Sequence, residues 1–600
     1  MTVTNIQQQE LILVDYHSNS NLVVNNIMKK LIKKSIMGLA AASLFVAGGC
    51  TNLDETIFSQ LNDTNVDLSN PDDLASILGA AVAQYRYFII GDWFPLGQLL
   101  EETTDQYVVP ARVAFGWGDA YINLHKHDWG TEVGQIQAPY DRAYQGIVYA
   151  NLVCDQLADA TSESEKASLA QAKFFRGMFY YHLMENYGNV PFQITQNIEP
   201  GYLPEQIGVE NLYNWLVEEF QWIKENIQDL GNGWGSKGAA TMALAKLYLN
   251  KNVYLGTTGN DGYEACLKEV NDIIDMGKYS LAANYLDPFK VDISNCPEVI
   301  FYIPQDNTHA VHYGWNAFCF SEPMRDVWAT SCAAYNASAG IPQWLDTYDP
   351  EDKRFTDCWL GGELHAAVKN ADGTYTPNAG DPIYYDTHDW SGTGILTLNY
   401  NLHSVDKPGC FLQEGYRMNK YEMQMGNSFG AAATDQVVFR YADVLMMKAE
   451  CLLRLGRDEQ AAADLVSMVR RRAFPTNPAK ATRTVEDLKG GSVYVYGHDE
   501  YTTDQDGEMG CVDWTNHIRT SEGGGDIEFG GLLDDLGWEF VCEFHRLQDL
   551  RRFKMSDGRS VFTGKSWFCK DASNDTHYEV FNIPSEAMKA NLKLVQNPGY

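Results

Sequence analysis

Two glutamates towards the C-terminal end of the chain have the spacing of a catalytic pair. Glu539 and Glu543 are four residues apart, so on a helix they share one face. A glycoside hydrolase needs two carboxyl groups roughly 5–10 Å apart across the scissile bond. Yet the chain has 79 acidic residues, so such pairs are common by chance. The arginines between and around them favour an ion-pair network with Arg470 or Arg472. We therefore expect a structural role for this pair and no enzymatic activity.

Metal-binding patterns are weak. His125 and His127 would share one face of an extended strand, but no third ligand is evident nearby. Asp504 and Asp506 begin an acidic turn that resembles the start of a calcium loop without its complete ligand pattern. A solvated turn is the simpler interpretation, so we expect no cofactor, with calcium as the alternative. P-loop and convincing dinucleotide-binding motifs are absent from the sequence.

Aromatic residues offer a stronger chemical signal. The C–H faces of a sugar pack on flat aromatic rings, and its hydroxyl groups need polar partners beside those rings. The chain has 14 Trp and 34 Tyr, and three loops combine them with polar residues, at 91–117, 312–328 and 384–390. The alternative is that each tryptophan belongs to the core. The predicted ligand-binding residues are Trp93, Asp105, Tyr107, Trp117, Tyr313, Trp315, Asn316, Trp328 and Trp390.

The elements that must position these residues are mainly helices. Apolar spacing and helix-stop signals predict helices at 74–87, 140–157, 164–187, 211–227, 238–248, 263–276, 441–456, 460–473 and 534–553. The pair at 441–473 has small alanines at its contact and resembles a tetratricopeptide-type hairpin. Residues 279–435 lack this periodicity and are rich in Gly, Asn, Asp and Pro. They predict long loops with a few short strands, which usually carry function.

The N-terminal region contains a lipoprotein signal that starts late. Residues 28–49 have a lysine-rich start, an apolar stretch too short to span a bilayer and small residues before Cys50. Cys50 is the predicted site of lipidation. Residues 1–27 carry no such pattern and are interpreted as a leader or a misassigned start, with Met28 as the initiator.

Charge excludes some partners. The formal net charge is −34, so the protein repels nucleic acid and anionic lipid, and DNA or RNA binding is not expected. The twelve cysteines include no CxxC pair, which argues against a zinc ribbon or a redox motif.

Four stretches in order carry a family resemblance. They are AKFFRGMFYYHLMENYGNVPF at 172–192, VVFRYADVLMMKAECLLRLG at 437–456, WEFVCEFHRLQDLRRFK at 538–554 and LVQNPGY at 594–600. Behind a lipoprotein signal, this set resembles the SusD/RagB family of Bacteroidetes outer-membrane nutrient-binding lipoproteins. The family often has glycine where Phe474 and Phe544 stand here.

The resemblance implies a fold and a role. The expected fold is mainly α, a tetratricopeptide-like helix-pair scaffold with a large loop-rich ligand-binding region and few short strands. The expected divisions are 50–278, 279–435 and 436–600, with a polar insertion near 489–525, in one compact unit. The expected role is capture of a glycan at the cell surface and its transfer to a SusC-like TonB-dependent transporter barrel, from a lipid anchor in the outer membrane. Alternatives are a peptide-binding importer subunit of the same family, a surface glycoside hydrolase and a helical scaffold without a small ligand.

Overall fold

The structure is a computed structural model. It describes residues 70–91, 94–112, 117–231, 233–306, 318–386, 393–405, 411–427, 433–502 and 514–600. The predicted signal peptide and lipidation site at Cys50 lie outside these ranges. Asp67–Tyr600 form one compact unit.

The first part of the chain is a run of helices, as the apolar periodicity predicts. Each predicted helix is present with shifted ends. The helices are α1 (Pro71–Ile90), α2 (Leu96–Glu102), α3 (Asp119–Lys126), α4 (Gly134–Gln156), α5 (Glu163–Tyr187), α6 (Val209–Asn226), α7 (Lys237–Leu249), α8 (Lys251–Leu255) and α9 (Asp261–Asp275).

The central helix α5 shows why the sequence folds this way. Its N-terminus has a capping box, in which Ser162 Oγ accepts a hydrogen bond from Glu165 N and the Glu165 carboxylate accepts one from Ser162 N. Gly188, at φ 66°, ends it. Gly146 on α4 lets the ring of Phe179 on α5 approach, because a Cβ at Gly146 would lie 2.1 Å from that ring. Close packing therefore joins the two helices.

The central region is loop-rich with short strands, as predicted. Its strands and short helices are β2 (Val299–Ile303), β3 (Ala339–Gly340), α10 (Pro342–Leu345), α11 (Lys353–Thr356), β4 (Trp359–Leu360), β5 (Gly362–Glu363), β6 (Val368–Lys369), β7 (Tyr375–Thr376), β8 (Tyr384–Asp386), β9 (Thr393–Ile395), β10 (Thr397–Leu398), β11 (Arg417–Met418) and β12 (Gln436–Arg440); β1 (Tyr107–Val108) precedes them. β1 pairs antiparallel with β3, and β2 pairs antiparallel with β12. The second pairing joins the beginning and end of the region, so its loops are held against the helices.

The helical scaffold then resumes. Its elements are α12 (Tyr441–Leu455), α13 (Glu459–Arg470), α14 (Val485–Lys489), β13 (Gly497–Thr502), β14 (Asn516–Arg519), α15 (Gly530–Phe540), α16 (Arg546–Arg552), α17 (Val561–Gly564), β15 (Trp567–Phe568) and α18 (Ser585–Ala590). Helices pack in the order α1–α4–α5–α6–α7–α9–α12–α13. The predicted mainly helical scaffold of packed pairs is confirmed, and a continuous apolar core runs through it and the central region.

The single long helix predicted at 534–553 is wrong. It is broken into α15 and α16, because Cys542 (φ 57°) and Phe544 (φ 69°) adopt left-handed backbone conformations. The ammonium group of Lys420 compensates for the break by donating a hydrogen bond to the carbonyl of Val541 at 2.9 Å. A contact from the central region thus stabilises a turn that apolar spacing alone does not reveal.

Helices of the described ranges are either too short or too polar to cross a membrane.

Candidate functional site

The structure describes four of the nine predicted ligand-binding residues. The predicted residues outside the described ranges are Trp93, Tyr313, Trp315, Asn316 and Trp390, together with the calcium candidates Asp504 and Asp506. Their roles stay predictions. The remaining four, Asp105, Tyr107, Trp117 and Trp328, are placed by the structure and differ sharply in burial.

Asp105 is a correction to the sequence-based site. Its carboxylate is fully buried and accepts two hydrogen bonds from Arg546, each of 2.7 Å. The hydroxyl of Tyr496 donates a third at 2.9 Å. A carboxylate inside a protein needs such partners to offset its lost hydration. Asp105 therefore ties the end of α2 to α16, and its prediction as a ligand contact is wrong.

Tyr107 and Trp328 are also corrections. Tyr107 lies fully buried in β1, with its hydroxyl 2.9 Å from Cys319 Sγ. Trp328 is only 5% exposed and stacks on Phe320 with ring centroids 4.3 Å apart. Strand pairing buries the first ring and stacking buries the second, so neither ring face is open to a ligand.

Trp117 is half-buried. Its ring meets Phe318 edge-on at 5.1 Å and Tyr121 at 5.7 Å. Its indole N–H donates to the carbonyl of Tyr335 at 3.2 Å, which fixes the ring. Phe94 packs against Tyr121 at 6.4 Å, and we call Phe94, Trp117, Tyr121 and Phe318 the Trp117 cluster. Since Trp117 and Phe318 come from two of the predicted loops, those loops do meet.

Polar groups lie behind the Trp117 cluster. Tyr121 is surrounded by Gln98, Gln135 and Glu102. Burial raises the pKa of Glu102 well above its ordinary value, and the neighbouring side chain of Gln98 opposes this. The neutral form is favoured, and a neutral carboxyl can both donate and accept a hydrogen bond. The cluster thus joins aromatic edges to amide, phenol and carboxyl groups.

The third predicted loop also presents an aromatic ring. Tyr384 is 70% exposed and begins β8, where it pairs with Ile395 of β9. The short hairpin holds the ring at the surface. Asp389 and Trp390, which follow it, lie outside the described ranges.

The glutamate pair at Glu539 and Glu543 is an internal ion-pair network. Both carboxylates are buried and bind Arg440, at 2.8 Å and 2.6 Å. Glu539 also pairs with Arg472 at 2.5 Å, as the sequence predicts. Burial raises the pKa of Glu539, but Arg472 and Arg440 outweigh burial and hold it below its ordinary value. Glu298 also binds Arg440, at 2.8 Å. The pair is neutralised inside the protein and cannot flank a substrate.

The two histidines considered as metal ligands are interior residues. His125 ends helix α3 instead of lying in a strand, and burial lowers its pKa to about 3. His127 is also buried, with Nε2 2.9 Å from the carbonyl of Thr103. In the part of the chain that the structure describes, His, Cys, Asp and Glu side chains form no group of three suited to a metal ion.

Comparison with known proteins places the chain in a family. Residues 297–600, half of the chain, match the family described as "SusD family". The chain belongs to the SusD family. Residues 56–249 also match a family of SusD-like proteins described as "Starch-binding associating with outer membrane".

Relatives of this SusD-family chain span most of its length. "Starch-binding protein SusD" of Bacteroides thetaiotaomicron is 25% identical over 501 residues, covering 79% of this chain and 80% of that protein. "SusD-like protein P25" of Formosa agariphila is 22% identical over 467 residues, covering 73% of each.

Solved structures show the same SusD fold. A SusD superfamily protein from Parabacteroides distasonis has a TM-score of 0.62 at 18% identity and covers 90% of this chain and 100% of its own. Surface glycan-binding protein A from Bacteroides thetaiotaomicron, in complex with laminarihexaose, has a TM-score of 0.60 at 16% identity and covers 88% and 99%.

Sequence reasoning about this SusD-family chain missed three members of the Trp117 cluster, Phe94, Tyr121 and Phe318. Phe318 comes from a distant loop, and only tertiary structure brings it to Trp117. Tyr121 follows Trp117 by four residues and lies in the first turn of α3, which begins at Asp119. That spacing was the available signal.

Proposed function

We propose that this protein is a cell-surface glycan-binding lipoprotein that captures oligo- or polysaccharide and passes it to a SusC-like TonB-dependent transporter in the outer membrane. The observation that carries the proposal is the Trp117 cluster, where a half-buried indole is held beside polar groups. The proposed activity is binding alone, without chemical change to the glycan.

The chemistry of the Trp117 cluster suits a sugar. Apolar C–H faces pack against the half-buried rings of the Trp117 cluster, while Gln98, Gln135 and Glu102 are buried and surround Tyr121 inside the protein. Each such contact is weak, so useful affinity needs several sites along one chain. Polysaccharide capture meets that requirement better than capture of a single sugar.

The comparisons support a glycan over a peptide. One relative is named as starch-binding, and one protein of similar fold holds laminarihexaose. Both ligands are built of glucose units.

The proposed location rests on the N-terminal signal. Lipid on Cys50 would attach the protein to the membrane without a spanning helix. A family description that names outer-membrane association supports this location. The transporter is the proposed acceptor of the captured glycan.

Affinity electrophoresis tests the proposed function. Purified protein carrying Cys50→Ala, which removes the lipid acceptor, is run through gels containing individual polysaccharides. We expect retardation by at least one, no shortened products in the incubated polysaccharide, and no binding to a peptide pool. Free migration in every gel, together with binding to peptides, would instead favour a peptide-importing function.

A further inference from the structure

A second aromatic group lies on the polar insertion that the sequence analysis left without a role. His403 stacks on Trp514 with centroids 4.7 Å apart and 11° between planes. Tyr501 of β13 stacks on His517 of β14 at 4.0 Å and 4°. His403 meets Tyr501 edge-on at 5.0 Å, so the four rings form one array. We call His403, Tyr501, Trp514 and His517 the hairpin array.

Carboxylates orient both histidines of the hairpin array. Glu414 Oε2 lies 3.0 Å from His403 Nδ1, and Asp499 Oδ1 lies 2.5 Å from His517 Nε2. Strand pairing sets Tyr501 directly opposite His517 and Asp499 opposite Arg519. The rings are therefore fixed before any ligand arrives, which lowers the entropy cost of binding.

The hairpin array lies outside the main apolar core. Its tyrosine and tryptophan are not among the residues of that core, and all four side chains keep part of their surface exposed. His517 retains 34% of its side-chain surface. Ordered, partly exposed rings away from the core present more aromatic surface than packing requires.

A backbone hydrogen bond links the hairpin array to the loop that leads to the Trp117 cluster. Ala111 N donates to the carbonyl of Val405 at 2.7 Å. Ala111 precedes Trp117 by six residues, and Val405 follows His403 by two. Within the array, Tyr501 N donates to the carbonyl of His403 at 2.8 Å.

We propose that the hairpin array is a second sugar-stacking subsite for the same glycan chain that contacts the Trp117 cluster. This inference rests on the proposed glycan-binding function. The ligand class is an oligosaccharide long enough to reach both groups of rings, with sugar faces on Trp514 and Tyr501. Arg519 is exposed and, like His517, contacts Asp499, so it supplies partners for hydroxyl groups beside the rings.

Calorimetric titration of Trp514→Ala tests the hairpin array. The protein carries Cys50→Ala as in the electrophoresis, and the ligand is the polysaccharide that retards it there. We expect affinity to fall about tenfold, since linked subsites multiply affinity and loss of one removes that gain. Trp514→Phe keeps a ring and should retain affinity within about threefold, on the basis of its remaining stacking surface. Ile518→Ala, which changes a 47% exposed residue on the same hairpin, should bind normally.

The outcomes separate the two proposals. Thermal unfolding of each variant is measured in parallel, and Trp514→Ala should keep the unmodified transition because its side chain lies outside the core. If Trp117→Ala weakens binding but Trp514→Ala does not, the hairpin subsite is overturned and the proposed function stands. If the unmodified protein binds no glycan, the proposed function itself fails.

Discussion

At the residue scale, Arg440 binds three buried carboxylates inside the protein. Its guanidinium binds Glu298, Glu539 and Glu543, and all four side chains are buried. Lys420 adds a second cation on Glu543 at 2.5 Å. Removing one member of a buried ion pair destabilises the fold, because the charge that remains has neither its partner nor water around it. The network holds β12, the turn after α15 and the central region together.

Glu543→Ala should therefore destabilise the fold. We expect a loss of about 3–5 kcal/mol in the free energy of unfolding, because Lys420 and Arg440 would keep uncompensated buried charge. Urea denaturation measures it. Glu586→Ala is the matched control, since its pair with Lys589 is mostly exposed, and it should change stability by less than about 1 kcal/mol. Equal effects from both variants would contradict a structural role for the network.

His498 gives the protein a pH-dependent contact. Its ring nitrogens lie 3.0 Å from Glu500 and 2.8 Å from Asp571. The hydrogen bond with Glu500 is the main cause, and that with Asp571 a further one, of a His498 pKa above its ordinary value. The folded pKa exceeds the unfolded one, so the stabilisation is complete below about pH 6.5 and is lost as pH rises through the folded pKa.

The measurement compares the unfolding free energies of unmodified protein and His498→Gln across pH. The gap should be larger at about pH 5.5 than at about pH 8.5, because only the protonated ring attracts both carboxylates. A gap that is constant, or grows with pH, would contradict the assignment.

Residue types in the sequence could indicate candidate ligand-binding residues but not which of these side chains are buried. Trp117 and Trp328 are both tryptophans in loops with polar neighbours. Trp117 is half-buried and donates a hydrogen bond to the carbonyl of Tyr335, whereas Trp328 is buried and stacks on Phe320. Burial depends on distant contacts, so a single sequence offered no way to separate them. Asp105 shows the same limit, because its partner Arg546 is far along the chain.

At the element scale, helix α2 is wedged between the end of α1 and the turn that separates α15 from α16. A Cβ at Gly97 would lie 2.3 Å from the ring of Phe544 and 2.8 Å from the carbonyl of Ile89. The turn is also held by Glu101 of α2, whose Oε1 accepts from Phe544 N at 2.7 Å. The broken helix and α2 therefore fit as one unit.

Gly97→Ala should disrupt this fit. Neither the backbone carbonyl nor the packed ring can easily move, so we expect a loss of about 1–3 kcal/mol in unfolding free energy. Gly79→Ala is the matched control. Its site on α1 is open, and alanine there should stabilise the protein by about 0.5–1 kcal/mol. Two variants with the same sign would contradict the close packing at α2.

The elements were predictable where periodicity is local. Helix α5 is predicted at 164–187 and observed at Glu163–Tyr187, because its apolar spacing and Gly188 are enough. The break between α15 and α16 was not predictable from spacing. The glycine that the family often has in place of Phe544 was a clue, since φ is 69° there.

At the scale of the whole molecule, packed helices present a loop-rich region whose aromatic residues are proposed to bind glycan. The family motifs indicated the helical scaffold because three of the four lie on its helices α5, α12, α15 and α16. The pairing of β2 with β12 was beyond the sequence, since 132 residues separate their facing ends at Ile303 and Gln436 and short strands carry little signal.

Cys50→Ala should release the protein from the membrane. The cysteine thiol is the proposed attachment point for lipid, and a soluble chain should remain when it is removed. Fractionation of cells after metabolic labelling with palmitate measures this. We expect label and membrane association in the unmodified protein only. Membrane association that persists in Cys50→Ala would contradict the lipid anchor.

Calorimetric titration of Trp117→Ala with the bound polysaccharide tests the central claim most directly. The control is Trp222→Ala, a partly exposed tryptophan on α6 that packs against Lys173 of the helical scaffold. Truncating a central aromatic contact should weaken binding by at least about tenfold, while the control keeps unmodified affinity. Unchanged affinity in Trp117→Ala, with the polysaccharide still bound, would contradict a glycan site at the Trp117 cluster.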